Sequence, residues 1–242
     1  MRKILTVICC ALGLVACDKH DPILPGVRTA IFPSANIKIT GQNITDLPSD
    51  IATVDNSNCP YRQDSANTIW DGNRKIFSGF PTNNSVDADI KPVCSGNYIY
   101  AGLTTGEVVK INKNNRQIVW IADIYRASNL TGGASMVDII APIVPYKNHV
   151  YAGGLGDAFC KLNATNGDKK WCIDISVGTP FTITDKYAFV VSTDDLLYAI
   201  SIKNGDVFWR TNVKKQAQPA YNQGILTVGE EKFDIANGNK IK

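Results

Sequence analysis

The side chains able to carry chemistry are few, and their spacing excludes more than it offers. The chain has 242 residues with seven cysteines and two histidines. His20 and His149 lie far apart and no Cys-x-x-Cys pair accompanies them, so no zinc ligand set can be drawn. For the same reason no Ser-His-Asp or Cys-His constellation can be assembled. No catalytic residue, metal ligand, cofactor or small-molecule substrate is therefore assigned. Gly153-Gly154-Leu155-Gly156 is glycine-rich but lies between two β-rich runs. It opens no helix, so it lacks the N-terminal amides of a phosphate site, and a bend or bulge is its reading. Asp194-Asp195 falls in a turn, where solvated carboxylates are commoner than a calcium ligand set. Cys160 and Cys172 flank Asn166-Gly167, so a hairpin centred there brings them within reach of a disulfide. Buried free thiols on strands remain the alternative for these two and for Cys59 and Cys94.

The N-terminus carries an address. Arg2 and Lys3 precede a mostly apolar stretch from Ile4 to Val15, too short to span the roughly 30 Å bilayer core as a helix. Leu14-Val15-Ala16-Cys17 resembles the lipobox cut by bacterial lipoprotein signal peptidase. The resemblance implies loss of residues 1–16, with Cys9 and Cys10, and acylation of Cys17. Several acyl chains on one residue make a stable anchor where a single chain binds only marginally. The expected localisation is the outer membrane, on its periplasmic face. Asp18 directly after the cysteine points in some bacteria to retention at the inner membrane instead.

The elements that must position any site are β-strands. Aromatic and β-branched residues are plentiful, and Gly and Asn punctuate them regularly. The formal net charge is only +3 with no block of like charges, so the basic stripe of a nucleic-acid binder is missing. Residues 17–66, rich in Pro, Asn, Asp and Ser, read as the lipidated cysteine and a tether. Residues 67–242 read as one repeat array. Each copy runs from a proline to a tryptophan: Pro92 to Trp120, Pro142 to Trp171 and Pro180 to Trp209, with a fourth copy starting at Pro219. The prolines are 50, 38 and 39 residues apart. Every copy holds four short β-rich runs with Asn-Gly or an equivalent turn before the last, the pattern of a propeller blade. Trp70 is expected either to supply a detached last strand closing the fourth copy into a ring or to leave an open arc. Trp70, Trp120, Trp171 and Trp209 are assigned to packing between blades.

The pattern Pro-Val, Val-Tyr-x-Gly, Ala-Leu-Asn, Asn/Asp-Gly and Trp, met between Pro92 and Gly238, resembles the PQQ-like repeat of quinoprotein dehydrogenases and BamB proteins. Together with the lipobox and tether it resembles the BamB family in particular. The resemblance implies an all-β propeller of PQQ-like four-stranded blades, here about four in an incomplete or open ring, where BamB proteins have eight. It implies a non-enzymatic scaffold of the outer-membrane β-barrel assembly complex. Its partners would be the POTRA domains of the barrel subunit and the other lipoproteins of that complex. The family's contact loops carry paired aspartates shortly before a blade-opening proline. The corresponding stretch here is Val137-Asp138-Ile139-Ile140-Ala141-Pro142, with Asp138 alone and the register shifted by one. Asp138 is the first contact candidate, and Arg126 and Leu130 in the preceding loop follow. The quinoprotein alternative requires a metal-bound PQQ in a funnel, often beside an adjacent disulfide; Cys9-Cys10 is the one adjacent pair, and it leaves with the leader. Two further readings fit the same features: a lipoprotein propeller holding another envelope protein, and a truncated remnant.

Overall fold

The computed structural model describes residues 37–54, 58–82, 91–124 and 136–241, and among them it contains strands and turns but no helix. One compact unit spans Ala35–Lys242. Five antiparallel sheets follow one another along the chain. The first has three strands, β1 (Tyr61–Gln63), β2 (Thr68–Asp71) and β3 (Arg74–Ser78). The second comprises β4 (Val93–Ser95), β5 (Tyr98–Gly102), β6 (Glu107–Asn112) and β7 (Ile118–Asp123). The third comprises β8 (Val144–Tyr146), β9 (His149–Gly154), β10 (Ala158–Asn163) and β11 (Lys169–Ile173). The fourth comprises β12 (Thr182–Ile183), β13 (Tyr187–Val191), β14 (Leu196–Ser201) and β15 (Val207–Asn212). The fifth comprises β16 (Ala220–Asn222), β17 (Ile225–Val228), β18 (Glu231–Asp234) and β19 (Lys240–Ile241).

The four repeats are thus four-stranded sheets, each pairing its strands in chain order. The central strands of the second to fourth sheets are mostly buried because both of their faces are covered. All five residues of β13 are buried, whereas the last strand of each sheet alternates and is partly exposed. Apolar clusters fill the seams between successive sheets, from Ile69, Phe77, Ile99 and Ile111 at the first seam to Phe189, Trp209, Leu226 and Phe233 at the last. Among the described residues no such cluster joins the fifth sheet to the first.

One device recurs at three seams. Trp120, Trp171 and Trp209 each donate Nε1–H to a carbonyl in the next sheet: Ala164 (3.2 Å), Ile202 (3.2 Å) and Ile235 (2.8 Å). Each indole lies against a turn glycine of that sheet. A Cβ on Gly167 would come within 2.9 Å of Trp120, one on Gly205 within 3.0 Å of Trp171, and one on Gly238 would overlap Trp209. These glycines also have φ near +80°, a region that side chains enter at a cost. The Asn-Gly turn therefore reverses the chain and also makes the seat for its neighbour's indole.

Trp70 does not belong to that device, nor does it complete the fourth copy. The fourth copy pairs its own β19 with β18, and Trp70 lies in β2 of the separate first sheet. Its Nε1–H is spent locally on Asp64 (2.9 Å), and Arg62 lies 4.7 Å from the ring centroid. The residue in the tryptophan register of the first sheet is Phe77, opposite Ile69 across a bulge, as Trp120 is opposite Lys110.

Part of the stretch read as tether is bound to the sheets. Ile39 forms a parallel bridge with Val207 and Ile51 an antiparallel bridge with Thr184. Ile44 N–H donates to Ala236 O (2.8 Å), and Ser49 and Asp50 hold the Asp185 carboxylate. Sparse apolar residues, Ile37, Ile44, Ala52 and Val54, pack into the seams of the third to fifth sheets. The segment has no period because it crosses blades, and successive blades take single side chains from it.

Candidate interaction face and axial cavity

The connection entering the third sheet holds the leading sequence candidate. Ile139 N–H donates to Leu103 O (3.2 Å) and Leu155 N–H to Asp138 O (2.9 Å), so residues 138–139 thread between the second and third sheets. Glycines make the room: a Cβ on Gly102 would overlap Ile139, and one on Gly154 would sit 3.0 Å from Asp138 O. Ile139 is fully buried and Asp138 is only 1% exposed. The Asp138 side chain is thus buried at the seam and not presented on the surface. Arg126, Leu130 and Cys17 lie outside the described residues.

Two apolar side chains are exposed on the connections around that thread. Met136 is 48% exposed, and Phe80, on the connection leaving the first sheet, is 79% exposed. The turn between β5 and β6 lies between their connections. On one side Leu103 O holds Ile139. On the other, buried Asn67 donates from Nδ2 to Phe80 O (2.7 Å) and Thr104 Oγ1 (2.8 Å), and accepts from Thr104 N–H at Oδ1 (2.9 Å). A saturated amide network of this kind fixes backbone direction. Neither Phe80 nor Met136 stands out in sequence, since single apolar residues in loops are common.

A second feature lies where the first strands of three sheets converge. A cavity of about 240 Å³ is lined by Ala52, Val54, Pro142, Val144, Pro180, Phe181 and Gln218. The bound N-terminal segment forms part of its wall. The lining contains no carboxylate, imidazole or thiol, so it does not fit a metal-bound quinone. Among the described residues no cluster of three His, Cys, Asp or Glu side chains is placed to hold a metal.

The cysteines form two disulfides, Cys59–Cys94 and Cys160–Cys172. The second links directly opposed residues of β10 and β11. The first ties the segment before β1 to β4, across the seam that lacks a tryptophan.

Four-stranded sheets packed face to face, with a tryptophan of three of them seated on the turn of the next, define a β-propeller of PQQ-like repeats. The chain belongs to the family of that class described as outer membrane protein assembly factor BamB, whose pattern matches residues 41–229. It is 24% identical over 119 residues to the BamB protein of Alkalilimnicola ehrlichii, covering 49% of this chain and 31% of that one. With the BamB protein of Kangiella koreensis it shares 23% identity over 141 residues, 57% of this chain and 36% of that one. The chain spans about a third of the length of these curated relatives. The crystal structure of BamB from Moraxella catarrhalis superposes with a TM-score of 0.50 at 16% identity, over 66% of this chain and 48% of that one. A quinohemoprotein alcohol dehydrogenase from Pseudomonas putida HK5 gives 0.53 at 11% identity, over 65% and 34%. Both likenesses are of fold.

Proposed function

We propose that the chain is a non-enzymatic scaffold in outer-membrane β-barrel assembly, anchored to the outer membrane through acylated Cys17. In this reading it binds the POTRA domains of the barrel subunit together with other assembly lipoproteins. The observation that supports it most is the extent of the family pattern, which runs from the bound N-terminal segment into the fifth sheet. The contact surface in this reading is the apolar shoulder of Phe80 and Met136, and Asp138 serves as a positioning residue beneath it.

Co-purification of the tagged chain from detergent-solubilised envelopes tests this. Recovery of the barrel subunit should fall about tenfold or more in Met136→Arg and Phe80→Arg, as for apolar contacts at the centre of an interface. Cys17→Ala should release the protein from the membrane. A folded, membrane-bound chain recovered without the barrel subunit, or fractionating with the inner membrane, defeats the proposal. It would point to a propeller serving another envelope protein.

A further inference from the structure

Two neighbouring seams are built on one plan but differ in the residues around a crossing lysine. Between the second and third sheets, Lys110 of β6 crosses the seam to donate to Ala164 O (2.5 Å), and its ammonium lies 3.7 Å from the centroid of the Tyr98 ring. Between the third and fourth sheets, Lys161 of β10 takes the same register, opposite Tyr151 as Lys110 is opposite Tyr100. It donates to Ile202 O (2.7 Å). The position of Tyr98, however, is held by His149, and that of Gly96 by Lys147. The Tyr151 ring centroid is 6.0 Å from the Lys161 ammonium. A cavity of about 260 Å³ opens there, lined by Tyr146, Lys147, Asn148, His149, Tyr151, Lys161, Asp185 and Ile202.

The charges around this cavity do not balance. Lys147, Lys161 and Lys170 bring three positive charges to its neighbourhood, against the carboxylates of Asp50 and Asp185. Those carboxylates are already engaged. Asp185 Oδ1 accepts from Ser49 N–H (3.0 Å) and Asp50 N–H (3.3 Å), and its Oδ2 from Ser49 Oγ (2.7 Å). Asp50 Oδ2 accepts from the Tyr146 hydroxyl (2.6 Å). The nearby Lys186 is matched by Asp46 (2.5 Å). Among the described residues, none of Lys147, Lys161 and Lys170 has a carboxylate within ion-pair distance. Lys161 is only 8% exposed and uses one of its three N–H donors on Ile202. Lys147 holds φ at +53°, a conformation glycine adopts without cost at the matching position of the second sheet.

We propose that this cavity is a binding site for a small oxyanion, a phosphate or carboxylate group, held by Lys161, Lys147 and His149. Burial shields the Lys161 ammonium from part of the solvent, which strengthens its attraction for an anion over that at an open surface. The imidazole adds a directional N–H donor. The site is independent of the assembly role proposed above, because it involves neither the Phe80–Met136 shoulder nor the lipid anchor.

Proton NMR of the two imidazoles in the full chain tests it, with inorganic phosphate and acetate as probes and chloride at matched ionic strength as reference. The expected result is a saturable shift of the His149 resonances with phosphate or acetate, and a rise in its pKa at saturation. Lys147→Gly copies the second sheet and relieves a positive φ, so it leaves the fold intact while weakening binding about tenfold, the loss expected for one charged hydrogen-bond partner. His149→Tyr copies Tyr98; with the histidine gone, binding is followed by calorimetry and should vanish. A His149 response to phosphate and acetate no different from that to chloride, or unchanged affinity in both variants, overturns the proposal.

Discussion

The seam joining the fourth sheet to the fifth and the seam joining the first to the second do the same job with different residues. At the former, Trp209 lies against Gly238 and donates to Ile235 O (2.8 Å). At the latter, Phe77 takes the tryptophan register, and the following sheet carries Arg116 where the later sheets carry glycine. Arg116 reaches back across the seam to Asp71 (2.9 Å). An indole needs a bare backbone to rest on and supplies its own hydrogen bond. A phenyl ring has no polar edge, and the seam is tied by a guanidinium and by the Cys59–Cys94 disulfide instead. The repeat thus conserves a geometric requirement, a filled and cross-linked seam, while the residues that meet it change.

The largest expected effect separates a seam tryptophan from the one outside the repeat device. Trp209→Ala removes a buried indole and leaves Ile235 O without its donor, which should cost about 3–5 kcal/mol. Trp70→Ala removes a half-buried ring with a local partner and should cost about 1 kcal/mol, the central value for point changes. Chemical denaturation of both variants checks this. Equal losses would show that Trp70 is a seam residue after all.

A smaller effect contrasts the turns. Gly205→Ala places a Cβ 3.0 Å from the Trp171 ring at φ +80°, and should cost about 1–3 kcal/mol. Arg116→Gly removes an ion pair whose members are 38% and 31% exposed, worth about 0–1 kcal/mol, and relieves φ +60°. Its net effect in the same unfolding assay should lie within about 1 kcal/mol of zero. A large loss in Arg116→Gly would mean that the first seam depends on that cation far more than its exposure implies.

These contrasts mark what the sequence could disclose. Pro-to-Trp spacing and Asn-Gly turns exposed four copies because each demands a rare residue: an indole, or a glycine at positive φ. The first sheet escaped because Phe77 and the Asp71-Gly72 turn use commoner residues at shorter spacing. The segment 37–54 escaped because its anchoring residues are scattered singly. Asp138 was legible as a loop aspartate before a proline, but its burial was not, since that depends on Gly102 and Gly154 across two other strands. The cavity at His149 was invisible for a simpler reason. One Tyr-to-His exchange alters a seam only when the neighbouring strand's Lys161 is known to lie beside it.

The smallest effect is one of pH, and it compares that cavity with its filled counterpart. Burial, with repulsion from Lys161 and then Lys170, holds His149 below the ordinary imidazole pKa. Lys147, Asp50 and Asp185 complete the charges around it. The unfolded chain therefore takes up this proton first as pH falls. Stability should decline from just above the unfolded value of about 6.5 down to the depressed folded value, then level off for this group. His149→Tyr should remove that portion of the acid dependence, because the phenol has no ordinary protonation step in that window. Phosphate should flatten the wild-type slope as well, since an anion beside the imidazole raises the folded pKa toward the unfolded one. Unfolding midpoints measured between pH 5 and pH 8, with and without phosphate at matched ionic strength, distinguish these outcomes. A slope that phosphate leaves unchanged, yet His149→Tyr abolishes, would keep the half-buried imidazole and discard the anion.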